Sequence, residues 1–348
     1  MKTYQVALKP VSAITSIPAS DTLFGAICWG IRLLYGEKRL EEMLTAFAQG
    51  EPSFLVSSSF PVSASKIRFF PKPKSRKLPP SSSEDISKLI KSDSEKKALF
   101  ETLKQYKAFS KAVYLSEGLF TDLLLGKANE EVLFKGYIES NVVKKDSLLV
   151  KKEELSELED ALKKEEVRIR TNIDRVSLST SGEGQMFHTE TTIIGGGFSL
   201  FFLLKTDNIE FLEPLIGKDK FLSDHGVGGE RNVGLNQYRF SVEEIQEIKQ
   251  GQGKAFVTLS RYIPQKDEID ANNPNTCYDV LPIVSKVDNS YSFQGKRFIK
   301  DRVFCMKEGS AFEAIAEKEF YGRIISVCEI DGVTIYQNGI AFPLFMNT

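Results

Sequence analysis

Histidine is nearly absent from this chain: 348 residues hold two, His188 and His225. Four cysteines, Cys28, Cys277, Cys305 and Cys328, are scattered, and no two stand at CxxC spacing. These scarcities argue against a Cys/His zinc site, so neither a metal nor a cofactor is expected. They also argue against a disulfide framework and fit a reducing cytoplasm. No uncharged apolar run approaches the roughly 20 residues that a membrane helix needs. Lys9 and Pro10 interrupt the apolar stretch at the N-terminus, so it does not read as a signal peptide. Excess charge is missing too: 46 Lys and Arg against 47 Asp and Glu leave a net of −1. No global field therefore draws polyanions, and a nucleic-acid surface would have to be a local patch. What remains is ordinary for a globular chain, with 41% hydrophobic and 27% charged residues and enough length for two or three domains.

Glycine, by contrast, is concentrated. The stretch DHGVGGERNVG (224–234) holds four glycines and an arginine. A dinucleotide loop needs G-x-G-x-x-G opening a helix. Gly226 and Gly228 fit the first two positions, but the third falls on Arg231 and a strand pattern follows. A P-loop ending in Gly-Lys-Ser/Thr is also absent. Two readings stay open. Backbone N–H groups of Gly226, Gly228 and Gly229 could form an anion nest, with Arg231 and Asn232 as side-chain donors. Alternatively the loop is a tight turn before an edge strand.

The rest of the chain reads as α+β. Tyr4, Val6 and Leu8 alternate with polar residues, which predicts a half-buried strand. Ser20 is a suitable N-cap for a helix carrying Leu23, Phe24, Ile27, Ile31 and Leu34. A second helical stretch carries Leu40, Met43, Leu44 and Phe47, and 54–63 reads as one strand. Residues 144–166 alternate Lys and Glu blocks around Leu149, Leu155, Leu158 and Leu162, a pattern that predicts an exposed helix with i,i+4 ion pairs. Two β-rich arms flank SGEG at 181–184, predicting a long hairpin over 170–192 that continues into a buried strand. FLEPLIG reads as a short helix, and 235–242 as a strand. Without its insertions this order is βαββαβ, the ferredoxin-like split. QGQGK at 250–254 marks a junction, dividing the chain into domains at 1–248 and 249–348 with insertions over about 66–165.

One segment is locally basic. Residues 66–111 carry 13 Lys and Arg against 5 Asp and Glu, and KIRFFPKPKSRK interleaves phenylalanines with cations. It reads equally as a solvated insertion or as an RNA-facing segment.

Several motifs in order carry a resemblance: PASDTLFGAICWGIR (18–32), FFPKPK (69–74), RTNIDRVSLSTSGEGQMFHTE (170–190), HGVGGERNVG (225–234), KEGSAF (307–312) and GIAFPL (339–344). They span nearly the whole chain, which resembles the RAMP superfamily of CRISPR proteins. Within it, the chain is similar to the Csm-four family of subunits of type III-A (Csm) effector complexes. The resemblance implies tandem ferredoxin-like (RRM-like) domains with an inserted basic loop and a thumb-like β-hairpin. It implies a non-catalytic subunit that holds the crRNA 5′ handle and docks the large Cas-ten-type subunit and the Csm backbone subunit. The family's glycine loop matches 226–234, and its thumb matches 170–192.

RNA contacts need phosphate donors, stacking surfaces and base-edge groups. On the hairpin the candidates are Arg170, Asn172 and Arg175 on the rising arm, then Phe187 and His188 past the turn. Ser16, Ser20 and Thr22 lie at the first helix's N-terminus, where free N–H groups favour phosphate. Lys296 and Lys300 share parity in a basic strand pattern near 296–302. A second function class, metal-independent cleavage of crRNA precursors, would need a histidine to move a proton, and only His225 or His188 could serve.

Overall fold

The computed structural model describes residues 1–75, 94–158, 160–171, 173, 179–180, 186–287, 299–330 and 332–347. Four segments build the first sheet: β1 (Lys2–Pro10), β2 (Phe54–Val56) with its continuation β3 (Phe60–Ser63), β10 (Phe198–Thr206) and β11 (Tyr238–Glu244). Their order is β11-β1-β10-β2, with β3 also pairing β10, and every pairing is antiparallel. This is the ferredoxin-like order that a βαββαβ chain gives. The strand expected over 54–63 is two strands, because Ser58 and Ser59 turn their N–H groups away from β10 between them. Ser58 N–H donates to Leu259 O and Ser59 N–H to Pro18 O.

Helices α1 (Ser20–Tyr35), α2 (Glu37–Ala48), α6 (Ile209–Ile216) and α7 (Phe221–His225) accompany this sheet. Val6 and Leu8 from β1, Phe202 and Leu204 from β10, and Leu23 and Ile27 from α1 are fully buried in one core. Gly30 lets α6 and α7 approach α1. A Cβ there would stand 2.6 Å from Leu215 Cδ2 and 3.0 Å from Phe221.

The insertion is a folded layer. Strands β4 (Phe69–Pro71), β5 (Tyr114–Ser116), β6 (Val142–Lys145) and β7 (Leu148–Lys151) form a sheet in the order β4-β5-β7-β6. Helices α3 (Glu95–Ser110), α4 (Glu117–Leu124) and α5 (Glu130–Ile138) pack with it. Phe69 and Phe70, read as interleaved RNA aromatics, are instead fully buried, and Phe70 stacks on Phe120 at 4.8 Å. Two of the cations beside them are also engaged. Lys72 pairs with Glu130 at 2.8 Å and Lys74 with Asp279 at 2.6 Å. Arg76 lies outside the described residues.

The α-helix expected over 144–166 is not formed: strands take most of the stretch, and only Lys152–Glu157 coils, as a short 3-10 helix. Leu148, Leu149 and Val150 are consecutive and all buried, the signature of a strand covered on both faces. Asp146, at φ +52, turns β6 back into β7. The Lys/Glu blocks that suggested i,i+4 pairs make i,i+2 pairs: Lys163 with Glu165 at 2.7 Å and Arg168 with Glu166 at 3.3 Å. That is the period of a strand. These residues belong to β8 (Lys163–Thr171), which pairs with β9 (Met186–Ile194) as the hairpin, so its rising arm starts seven residues earlier than expected.

Beyond residue 249 the described residues are strands and loops. Strands β12 (Ala255–Thr258), β15 (Ala311–Glu313) and β18 (Pro343–Met346) form one sheet. Two ribbons pair β13 (Val280–Ile283) with β14 (Val303–Met306) and β16 (Gly322–Ile330) with β17 (Val333–Ile340). The molecule is thus α+β, of the tandem ferredoxin-like class the resemblance implied.

Candidate nucleic-acid interface

The glycine loop leaves α7 at Gly226, whose N–H closes the helix on Leu222 O at 3.0 Å. Gly226 has φ +74, and a Cβ would stand 2.9 Å from Asn236 O and from Gln237 Nε2. Here glycine is required by both conformation and space. Its N–H is already used, so it offers no donor to an anion. Gly228, at φ +97, faces Thr22 of α1, whose Cγ2 would lie 3.6 Å from an added Cβ. Gly229 has nothing within 4 Å of where a Cβ would stand, so the loop is open on that side. Arg231 folds back, its Nη1 donating to Gly228 O at 3.1 Å, while Asn232 is exposed. The loop therefore is a turn before an edge strand, since β11 ends the sheet, and it also has an open face.

Asn236 holds this loop to the one joining β1 and α1. It is buried and takes a left-handed φ of +55. Its Nδ2 donates to Thr15 Oγ1 at 2.9 Å and to Gly229 O at 2.5 Å, and its Oδ1 accepts from Thr15 N–H at 2.8 Å. Its backbone N–H donates to Ala13 O, and its carbonyl accepts from Val227 N–H. The hairpin joins the same assembly. Ile14 and Thr192 exchange N–H···O bonds of 2.9 and 2.7 Å, bonding the β1–α1 loop to β9.

Directly opposed residues in an antiparallel pair share a face. Arg170 stands opposite Phe187, and Ile169 opposite His188. Arg170 Nη1 lies 2.9 Å from Glu230 Oε2, so the Arg170 and Phe187 face is the one turned to the glycine loop. His188 sits on the other face with Val167, Ile169 and Met186, all well exposed. The structure thus brings together Gly228, Gly229, Arg231, Arg170 and Phe187 and separates His188 from them. Ser16 is exposed on the β1–α1 loop, one residue from Thr15. Asn172, Arg175 and Lys296 lie outside the described residues.

Two candidates are corrected. Ser20 is neither a cap nor accessible: it is the first residue of α1, fully buried, and Ala19 is the N-cap. Its hydroxyl accepts from Arg261 N–H at 2.9 Å, and its own N–H donates to Ser58 Oγ. The first turn already has its anion, because Asp21 accepts from Arg261 Nη1 at 2.7 and 2.8 Å and from Gln337 Nε2 at 2.7 Å. A carboxylate at this position satisfies the helix dipole from within the protein. Lys300 is not in a strand, since β14 begins at Val303. It lies near Cys28 of α1, whose thiol burial pushes up and the Lys300 charge pulls partly back.

Sequence reasoning missed Thr15, Glu230 and Asn236. A signal for one was present, since asparagine among glycines is a common left-handed turn residue. Among the described residues, no group of three or more His, Cys, Asp and Glu could hold a metal ion.

A ferredoxin-like sheet with a glycine loop after its second helical segment and a hairpin beside that loop defines a class of α+β chains. This chain belongs to the RAMP superfamily, whose family model matches residues 17–235. Its fold is similar to that of a solved chain described as "Csm3-Csm4 subcomplex in the type III-A CRISPR-Cas interference complex". The TM-score is 0.65 and the identity 17%, over 99% of this chain and 100% of that one. Two structures of a Csm1-Csm4 cassette, with pppApA and with cA4, match at TM-score 0.56 with 18% and 20% identity, covering 100% of this chain and 98% of theirs. No curated protein matches the chain at a significant level.

Proposed function

We propose that this chain is a non-catalytic subunit of a type III-A CRISPR (Csm) interference complex in the cytoplasm. It holds the 5′ handle of the crRNA and docks against the large Cas-ten-type subunit and the repeated Csm backbone subunit. Its two domains divide near residue 249. The observation that carries this reading is the three-part cradle: the glycine loop and the β1–α1 loop, joined through Asn236, and the Arg170 and Phe187 face of the hairpin, tied to them by the Arg170–Glu230 pair and the Ile14–Thr192 bonds. Gly228, Gly229, Arg231 and Asn232 supply backbone and side-chain donors to phosphate, with Ser16 and Thr22 at the rim. Phe187 supplies an exposed ring for a base. Asn172, Arg175 and Lys296, outside the described residues, extend the same reading. The fold's likeness to chains solved in Csm3-Csm4 and Csm1-Csm4 assemblies supports the choice of partners.

The cleavage reading has less support. His225 is half-buried, with its ring stacked on Phe221 at 4.8 Å, and His188 is on the hairpin face turned away from the loop. Incubating the purified chain with a repeat RNA separates the two. Retention of uncut RNA supports the binding role. Cleavage that disappears in His225→Ala overturns it.

A further inference from the structure

The basic character of 66–111 is not absorbed by the cradle. Lys72 and Lys74 are spent on ion pairs, and the positive charge reappears on α3. Residues 94–111 hold five lysines, no arginine, and two acids, Glu95 and Glu101. The inner side of the helix is fixed: Ala98, Thr102 and Phe109 are buried, and Tyr106 and Phe109 pack on Phe134 at 5.1 and 5.3 Å. The outer side carries Lys96, Phe100, Leu103 and Lys107 at i, i+4, i+7 and i+11, which is one stripe of a helix. Lys97, Lys104 and Lys111 flank it, and all of these residues are exposed. Phe100 is 70% and Leu103 51% accessible, and Phe100 is the most exposed large apolar side chain among the described residues. The pair of Lys104 with Glu101, at 3.5 Å and exposed, removes little of the charge.

The composition selects the occupant. Protein interfaces are enriched in arginine and depleted in lysine. Lysines around a bare aromatic ring are instead what single-stranded nucleic acid uses, phosphates on the ammonium groups and a base on the ring. We propose that the outer face of α3 is a second, sequence-independent surface for single-stranded RNA. Lys96, Lys97, Lys104, Lys107 and Lys111 contact the backbone, and Phe100 stacks a base. The proposal rests on the RNA-binding reading of the chain but not on the cradle.

The test uses the full chain and two probes, a uridine 20-mer and a repeat-derived handle RNA, titrated across salt. Replacing Lys96, Lys97, Lys107 and Lys111 by Gln should make the slope of log affinity against log salt shallower by about 3 for the uridine probe. Phe100→Ala should weaken uridine binding about tenfold. Gly228→Arg is read with the handle probe alone, where lowered binding reports the cradle, so a failure of the cradle reads separately. An unchanged uridine slope in the lysine variant overturns the proposal, as does a wild-type chain that does not retain the 20-mer. Loss of a co-purifying protein subunit with both slopes unchanged also overturns it and makes the face a protein contact.

Discussion

Arg170 on the hairpin and Glu230 in the glycine loop form an ion pair at 2.9 Å, with the arginine side chain largely covered. Under the proposed function Arg170 is a phosphate ligand of the cradle, and an incoming phosphate has to displace the internal carboxylate that holds it. Glu230→Gln removes that competitor. Handle RNA should bind roughly threefold to tenfold tighter, about 1 kcal/mol, with the gain largest at low salt. Arg170→Ala should weaken binding about tenfold or more and make the salt slope shallower by about 0.7. Fluorescence anisotropy across salt measures both.

Gly228 has room for a side chain but a backbone that resists one. Gly228→Ala keeps the loop open and costs about 1–2 kcal/mol from φ +97 alone. Gly228→Arg adds bulk over the open face. Its handle affinity should fall well below that of Gly228→Ala at equal thermal stability. Equal affinities would make the loop a turn and nothing more.

Asn236 should matter more than Gly228. Asn236→Ala leaves Thr15 N–H without its acceptor and releases Gly229 O, at a cost of about 2–3 kcal/mol. Asn236→Asp keeps the acceptor and loses the donors, so it should fall between the two. Urea denaturation measures the cost, and limited proteolysis at the glycine loop reports the loosened tie.

Lys72 is largely covered beside Glu130 and over the ring of Phe109, its ammonium 4.0 Å from the ring centroid. Burial lowers its pKa from 10.5, and Glu130 pulls part of it back. Glu130→Gln should destabilise the fold by about 3 kcal/mol at neutral pH, because it leaves a buried charge without its partner. The sign with pH follows from the lowered folded-state pKa. Between that pKa and 10.5 the unfolded chain binds the proton more tightly, so stability rises as the ammonium is lost. Denaturation of the variant from neutral pH toward 10 should show this partial recovery.

Much of the first sheet was legible because alternation in Tyr4, Val6 and Leu8 and the helical spacing of α1 each point to one answer. The Lys/Glu stretch at 144–166 misled because charge blocks fit both i,i+4 on a helix and i,i+2 on a strand. The buried run Leu148, Leu149 and Val150 decides for strands. FFPKPK misled differently: a phenylalanine beside lysines reads the same whether the ring faces solvent or core. Ser20 has the composition of a cap, but its fate is set by Arg261, 241 residues away. Spacing does not encode contacts of that range. The glycine loop was legible as a place and Asn236 as a turn residue, but not as its keystone, because Thr15, which it ties to the loop, lies 221 residues away.

The most direct measurement is to purify the chain with its partners, extract the bound nucleic acid and sequence it. Short RNAs sharing a common 5′ segment are the predicted result. An RNA-free preparation, or RNAs with no shared 5′ end, would contradict the assignment of this chain to the crRNA handle.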